Sequence, residues 1–215
     1  MDRSEFKRYY QDERVVKYYK SEEYFENLVL RLQAEFLNNL ILKRNSDLVL
    51  DLACGLGRVE QDLFGFRQGV ALDSSQEMLS VARQLLGKKW IVVEGDVFNL
   101  NFQEEFFDLA YSFDFIDRFD ISDRFLIYKQ IFKVLKKNGL FVFDILDKEI
   151  KDIIENEINR NGFNILKIQS YIKYNSFKYF FKLLPETRAM RVAYKLEKQN
   201  GIGKPFGWLF LCERL

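Results

Sequence analysis

Short, almost wholly apolar runs alternate along this chain with longer stretches whose apolar residues recur at helical spacing. The runs fall at 47–52, 69–72, 90–94, 107–112 and 139–145, each bounded by turn-forming residues. Continuous apolar runs of this length predict strands buried on both faces. Between them the periodicity predicts helices at about 57–67, 75–86 and 121–137. Asp73-Ser74-Ser75 supplies an N-cap for the helix over 75–86, with Met78, Leu79 and Ala82 on its inner face. Asn138-Gly139 predicts a C-cap for the helix over 121–137 and the launch of the strand that carries Asp144. Strands and helices in this alternation predict parallel βαβ units and a doubly wound α/β fold. Ahead of the core, residues 1–45 read as a helical extension dense in tyrosine (Tyr9, Tyr10, Tyr18, Tyr19, Tyr24). Behind it, Gly162–Tyr171 reads as a strand, Ser176–Gln199 as a helix and Trp208–Arg214 as a final strand.

Composition changes this picture mainly by exclusion. The 215 residues contain two prolines and no linker or repeat, so a single domain is expected. A net charge of +1 gives no global field for nucleic acid. Histidine is absent, which excludes Ser-His-Asp and Cys-His catalysis and histidine-built zinc sites, and no metal is expected. The two cysteines, Cys54 and Cys212, form no disulfide framework. The start shows no apolar signal region and no run is long enough to span a membrane, so the expected setting is cytoplasmic.

In an open α/β sheet, ligands bind beyond the carboxyl ends of the strands near the point where strand order reverses. The first strand ends in Asp51 and runs into the turn Ala53-Cys54-Gly55-Leu56-Gly57, followed by Arg58. Glycines at 55 and 57 allow a left-handed backbone and a close ligand. The third glycine of a dinucleotide turn would fall at Glu60, where a side chain forbids that helix–strand contact, and an acid at the entrance does not suit a pyrophosphate. The second strand ends in Asp73, followed by Ser74. Asp96 and Val97 follow the third, Tyr111, Ser112 and Asp114 lie at the end of the fourth, and Asp144 at the end of the fifth. These groups match an adenosine-type ligand with a cationic end. A carboxylate after the second strand accepts from both ribose hydroxyls. One after the third accepts from the adenine amine, while the Val97 amide donates to a ring nitrogen. Asp51 and the turn carbonyls hold an ammonium, and carboxylates, carbonyl dipoles and aromatic faces favour a sulfonium. Asp73 alone also reads as an N-cap, and Cys54 as a small packing residue.

Five segments in order carry a resemblance: VLDLACGLGR, VALDSSQEML, EGDVFNL, FDLAYSFDFIDRF and VLKKNGLFVFDI. Over roughly residues 45–145 the chain resembles the class I S-adenosylmethionine-dependent methyltransferases. The resemblance implies a Rossmann-like sheet of seven strands in the order 3-2-1-4-5-7-6 with the last antiparallel. It divides the single domain 1–215 into a helical N-terminal cap (1–45), a cofactor-binding core (46–145) and a C-terminal part (146–215) with a substrate-side insertion at about 172–205. It implies S-adenosyl-L-methionine as cofactor and S-adenosyl-L-homocysteine as product. The implied cofactor residues are Asp51, Ala53, Cys54, Gly55, Gly57, Arg58, Asp73, Ser74, Met78, Asp96, Val97, Tyr111 and Ser112. The implied reaction moves a methyl group to an O, N or C atom of a small or lipid-like acceptor, with Asp114, Asp117 and Asp144 as candidate bases. The family often has Gly where Ala53 stands, a change expected to leave the turn intact. Many small-molecule members carry a His near the position of Asp117, so a His-dependent deprotonation is not carried over.

Charge adds two expectations. Residues 94–123 hold nine acids against Arg118, and residues 173–204 hold eight basic residues against two acids, interleaved with Phe177, Tyr179, Phe180 and Phe181. A basic aromatic helix at about 176–200 can touch an anionic membrane, cover a greasy acceptor or pack on the sheet. Two further readings stay open: a non-catalytic cofactor- or partner-binding protein on the same fold, and an aminopropyltransferase-like enzyme drawing on the acid-rich 104–123 stretch. Nucleic acid is not expected as a partner, because no Asn-Pro-Pro-Tyr or Asp-Pro-Pro-Tyr motif follows the fourth strand.

Overall fold

A computed structural model describes residues 8–12, 14, 15, 17, 24–146, 148–177, 181, 183–199 and 203–215. Seven strands form one sheet: β1 (Leu48–Leu52), β2 (Gln68–Asp73), β3 (Trp90–Glu94), β4 (Phe107–Ser112), β5 (Leu135–Ile145), β6 (Phe163–Tyr171) and β7 (Gly207–Arg214). Their order is β3-β2-β1-β4-β5-β7-β6. The first five pair in parallel, and β7 is antiparallel to both β5 and β6. Both the predicted order and the antiparallel last strand are observed.

Period-two alternation sorts the strand side chains between two cores. Leu48, Leu50 and Leu52 of β1 join Phe141, Phe143 and Ile145 of β5 on one face. Helices α3 (Ile121–Val134) and α4 (Lys148–Arg160) cover that face with Ile127, Ile131, Ile154 and Ile158. Val49, Leu109, Tyr111, Leu140 and Val142 point to the other, beneath Ala34, Leu37 and Ile41 of α1 (Tyr24–Arg44). That helix ends as its sequence dictates, with Lys43 and Arg44 in the last turn and Asn45 left-handed at φ 51°. Helix α2 (Gln76–Leu85) is capped by Ser75, whose side chain accepts from the Met78 amide.

Helix α5 (Glu186–Lys198) buries Ala189 and Ala193. With Leu28 and Leu32 of α1, and with Tyr171 and Phe181, it builds a third apolar cluster over the amino end of β7 and the carboxyl ends of β5 and β6. Glu35 of α1 accepts from Tyr194 at 2.7 Å and Lys198 at 2.6 Å, which ties the two helices.

Three predicted elements differ. No α-helix forms over 57–67; after a run of turns there is one 3-10 turn, Glu60–Asp62, because three left-handed residues precede it and Leu63 is already extended. The helix over 121–137 ends at Val134, and β5 begins at Leu135 rather than 139. Asn138 is left-handed as expected, but in an irregular stretch of β5, where pairing jumps between Phe107 and Leu109, and not at a C-cap. The helix over Ser176–Gln199 is interrupted: a 3-10 turn spans Lys173–Phe177, and Pro185 starts α5 anew. Tyr18, Tyr19, Lys178, Tyr179 and Phe180 lie outside the described residues. Among the described residues no helix is long and apolar enough to cross a membrane.

Candidate functional site

Strands β1, β2, β3, β4 and β5 all end on one rim, which makes the expected juxtaposition real. The turn after β1 is wound left-handed at Ala53 (φ 64°), Gly55 (54°) and Gly57 (76°). The Cys54 amide donates to Leu72 O at 3.0 Å, pinning the turn to β2. A methyl group at Gly55 would meet nothing within 4 Å, whereas one at Gly57 would press on Leu86 at 3.0 Å. Gly55 therefore leaves its outer side open to a ligand, and Gly57 serves packing against the end of α2. Burial raises the Cys54 thiol well above its ordinary value, which suits a packing residue and not a nucleophile.

Asp73 accepts from the Gly55 amide through one oxygen and from the Ser75 amide through the other, both at 2.9 Å. It thus fastens the glycine turn to the start of α2. Each oxygen keeps a further lone pair for a diol. Ser74 is partly exposed, while Met78 is buried with Leu56 beneath Tyr10 and Val15. Ser75 Oγ donates to Tyr10 O at 2.8 Å, so the segment around Tyr10 lies over this end of the site. Asp96 is exposed and accepts from the Phe98 amide at 2.9 Å through one oxygen. Val97 sends its side chain into the core.

Asp51 is buried and in register with Tyr111 of β4, so both side chains reach the α1 face. Glu60, from the 3-10 turn, joins them and is also buried. Burial raises the Asp51 carboxyl well above its ordinary value, and the neighbouring Glu60 adds to this, while Tyr111 favours the charged form. Glu60 is pushed up to about 7, chiefly by burial, against the pull of its hydrogen bond with Asp51. Ser112, expected to face the ligand, donates instead to Leu52 O at 2.8 Å and holds β4 to β1.

The three candidate bases separate clearly. Asp114 is exposed, left-handed at φ 52°, and paired with Arg118 at 2.5 Å. Asp117 accepts from the Leu146 amide at 2.8 Å and so secures the end of β5. Asp144 is buried on the α1 face, where it accepts from the Asp114 amide at 2.6 Å, from Gln33 at 3.4 Å and from the Tyr171 hydroxyl. Burial pushes its carboxyl up to about 7, against the pull of the Tyr171 and Asp114 bonds. Burial and Asp144 together push the Tyr171 phenol well above its ordinary value. Phe113, Leu146 and Phe177 pack against the third apolar cluster beside this group, and the Tyr111 and Phe113 rings lie 5.5 Å apart, linking it to Asp51. Sequence reasoning did not foresee that Glu60 joins Asp51 or that Gln33 and Tyr171 join Asp144. Among the described residues no group of metal-ligating side chains is present.

Known proteins share this architecture. The family model described as "Methyltransferase domain" matches residues 50–143. A solved S-adenosylmethionine-dependent methyltransferase from Clostridium acetobutylicum is 20% identical at a TM-score of 0.59, covering 90% of this chain and 93% of its own. A SAM dependent methyltransferase from Archaeoglobus fulgidus is 16% identical at 0.61, covering 86% and 94%. The [4+2]-cyclase SpnF is 16% identical at 0.57, covering 83% and 79%. These structures share the fold. Among curated proteins none matches the chain.

Proposed function

Because a methyltransferase-domain model matches residues 50–143 and the sheet has this strand order, we propose that the chain is a class I S-adenosylmethionine-dependent methyltransferase that moves a methyl group from that cofactor to a small or lipid-like acceptor held between Asp144 and the α1–α5 cap. The residues present fit the cofactor. Gly55 leaves open the side that a methyl would fill, Asp73 offers its remaining lone pairs to a ribose diol, and Asp96 keeps one oxygen for the adenine amine. Asp51 lies where the cationic methionine end would lie, while the partly exposed Arg58 borders the turn. When bound, the cofactor supplies a methyl group already activated by its sulfonium. The chain then has to orient an acceptor, keep water out and, for a hydroxyl or protonated amine, take a proton.

One observation carries the assignment of the acceptor side: a buried carboxylate, Asp144, faces the same sheet side as Asp51 and bonds Tyr171 and Gln33 under an apolar cap. Asp114 is exposed and paired with Arg118, and Asp117 holds the end of β5, so Asp144, buried under the apolar cap, is the base of choice. The aromatic underside (Phe113, Phe177, Phe181) favours an acceptor with an apolar body. Substrate choice then belongs to the cap.

A screen of candidate acceptors that detects released S-adenosylhomocysteine tests this. With an accepted substrate, the rate should rise with pH through about 7, as Asp144 loses its proton. Asp144→Asn should lower kcat on the order of 100-fold or more and flatten that profile. An unchanged profile in the variant would remove Asp144 from the chemistry. A second reading has its own support: both Asp144 oxygens are already engaged, as in a purely structural cluster, and the cyclase SpnF shares the fold. Cofactor binding with no methylated product across the screen would favour a protein that binds the cofactor without transferring its methyl.

A further inference from the structure

Glu60 has no part in the reading above, yet its surroundings call for a partner. It is 2% exposed, and among the described residues its carboxylate meets no side-chain donor other than the neighbouring Asp51, with which it can share only a proton. A buried carboxylate without donors is unfavourable unless it is neutral or meets a cation. Glu60 follows the glycine turn by three residues and lies beside the buried Asp51.

The titratable and charged groups around it come from every neighbouring element. Asp51 belongs to β1, Asp73 to β2, Tyr111 to β4, and Cys54 and Arg58 to the turn itself. Helix α1 contributes apolar Ala34, Leu37 and Ile41, and also Asn38, which is bound to Asp62 O and the Phe64 amide. Among the described residues the negative groups outnumber the one cation beside them, Arg58, which is partly exposed. Two adjoining carboxylates in such a place hold one proton between them, since both cannot be charged together without a cation. An aliphatic ammonium is their complement, with three donors and one positive charge.

We propose that Glu60 and Asp51 together seat the α-ammonium of the cofactor's methionine end, and that the pair releases its shared proton to solvent as that ammonium binds. The inference rests on the cofactor reading above. It makes Glu60 a ligand-binding residue and couples cofactor affinity to pH. Affinity rises as pH rises towards neutrality, because less proton then has to be displaced.

Calorimetry with S-adenosylhomocysteine and with 5′-methylthioadenosine, which keeps the adenosine and sulfur but lacks the amino-acid end, separates the outcomes. The wild-type chain should bind both. Glu60→Gln should weaken S-adenosylhomocysteine by about 10-fold or more, as expected for one charge-assisted hydrogen bond. It should leave methylthioadenosine within about twofold, because the lost bond belongs to the ammonium alone. At about pH 6, titrations in buffers of different ionisation heat should show about one proton released per wild-type chain and fewer from the variant, in which Asp51 is buried without a second carboxylate. Equal affinity of wild type and variant for S-adenosylhomocysteine would overturn the inference, as would equal loss of both ligands or binding without proton release. If the wild-type chain binds neither ligand, the cofactor reading itself fails, and this inference with it.

Discussion

Ala53 carries backbone strain at the centre of the site. Its φ of 64° belongs to the left-handed region, which disfavours a side chain by roughly 1–2 kcal/mol. The sequence reading expected Ala there to leave the turn intact, and it does, at the expense of that strain. Ala53→Gly should raise the thermal midpoint. The relief of strain exceeds the added freedom of the unfolded chain, for a net gain of up to about 1 kcal/mol. A lower midpoint in a melting curve would show that the alanine methyl makes packing contacts worth more than the strain. At this scale the acids were legible wherever an apolar run ends in one, as at Asp51, Asp73 and Asp96. Glu60 was visible only as a missing glycine, since its burial comes from a turn that periodicity reads as a helix. Gln33 and Tyr171 were not legible at all. They meet Asp144 across 111 and 27 residues, and no local pattern announces such contacts.

Among the elements, strand positions followed from apolar runs too short for helices and bounded by turn residues, even for the edge strand β3, which is only partly buried. Helix ends were harder. Over 57–67 the apolar spacing suits a helix, but Ala53, Gly55 and Gly57 set a tight turn whose tail goes no further than a 3-10 turn. Pro185 divided what charge and aromatic content joined. One pairing between elements is decisive for stability. Arg124 of α3 and Glu157 of α4 form a buried two-pronged ion pair at 2.8 and 2.7 Å, and Arg124 also donates to Phe119 O. Glu157→Ala strands a buried guanidinium and should lose about 3–5 kcal/mol in denaturant unfolding. A loss under about 1 kcal/mol would mean that water reaches the arginine. The exposed Lys198–Glu35 contact between α5 and α1 carries far less weight.

For the whole molecule, the strand order places five strand ends on one rim, and the two-sided core fixes which side chains meet there. Asp51 and Asp144 face α1 because they alternate with Leu50, Leu52, Phe143 and Ile145, which face α3 and α4. The proposed cofactor half of the site is therefore dictated by local sequence and topology together. The proposed acceptor half is assembled by long-range packing of α1, α5 and β6, which is why the sequence pointed to a donor and left the acceptor unnamed. The most direct measurement is calorimetric titration of the whole chain with S-adenosylmethionine. One molecule should bind per chain with a dissociation constant of about micromolar or tighter, and Asp73→Ala should weaken it by about 10-fold or more. No binding heat from the wild-type chain at several hundred micromolar, on the order of a hundred times that constant, would contradict the account.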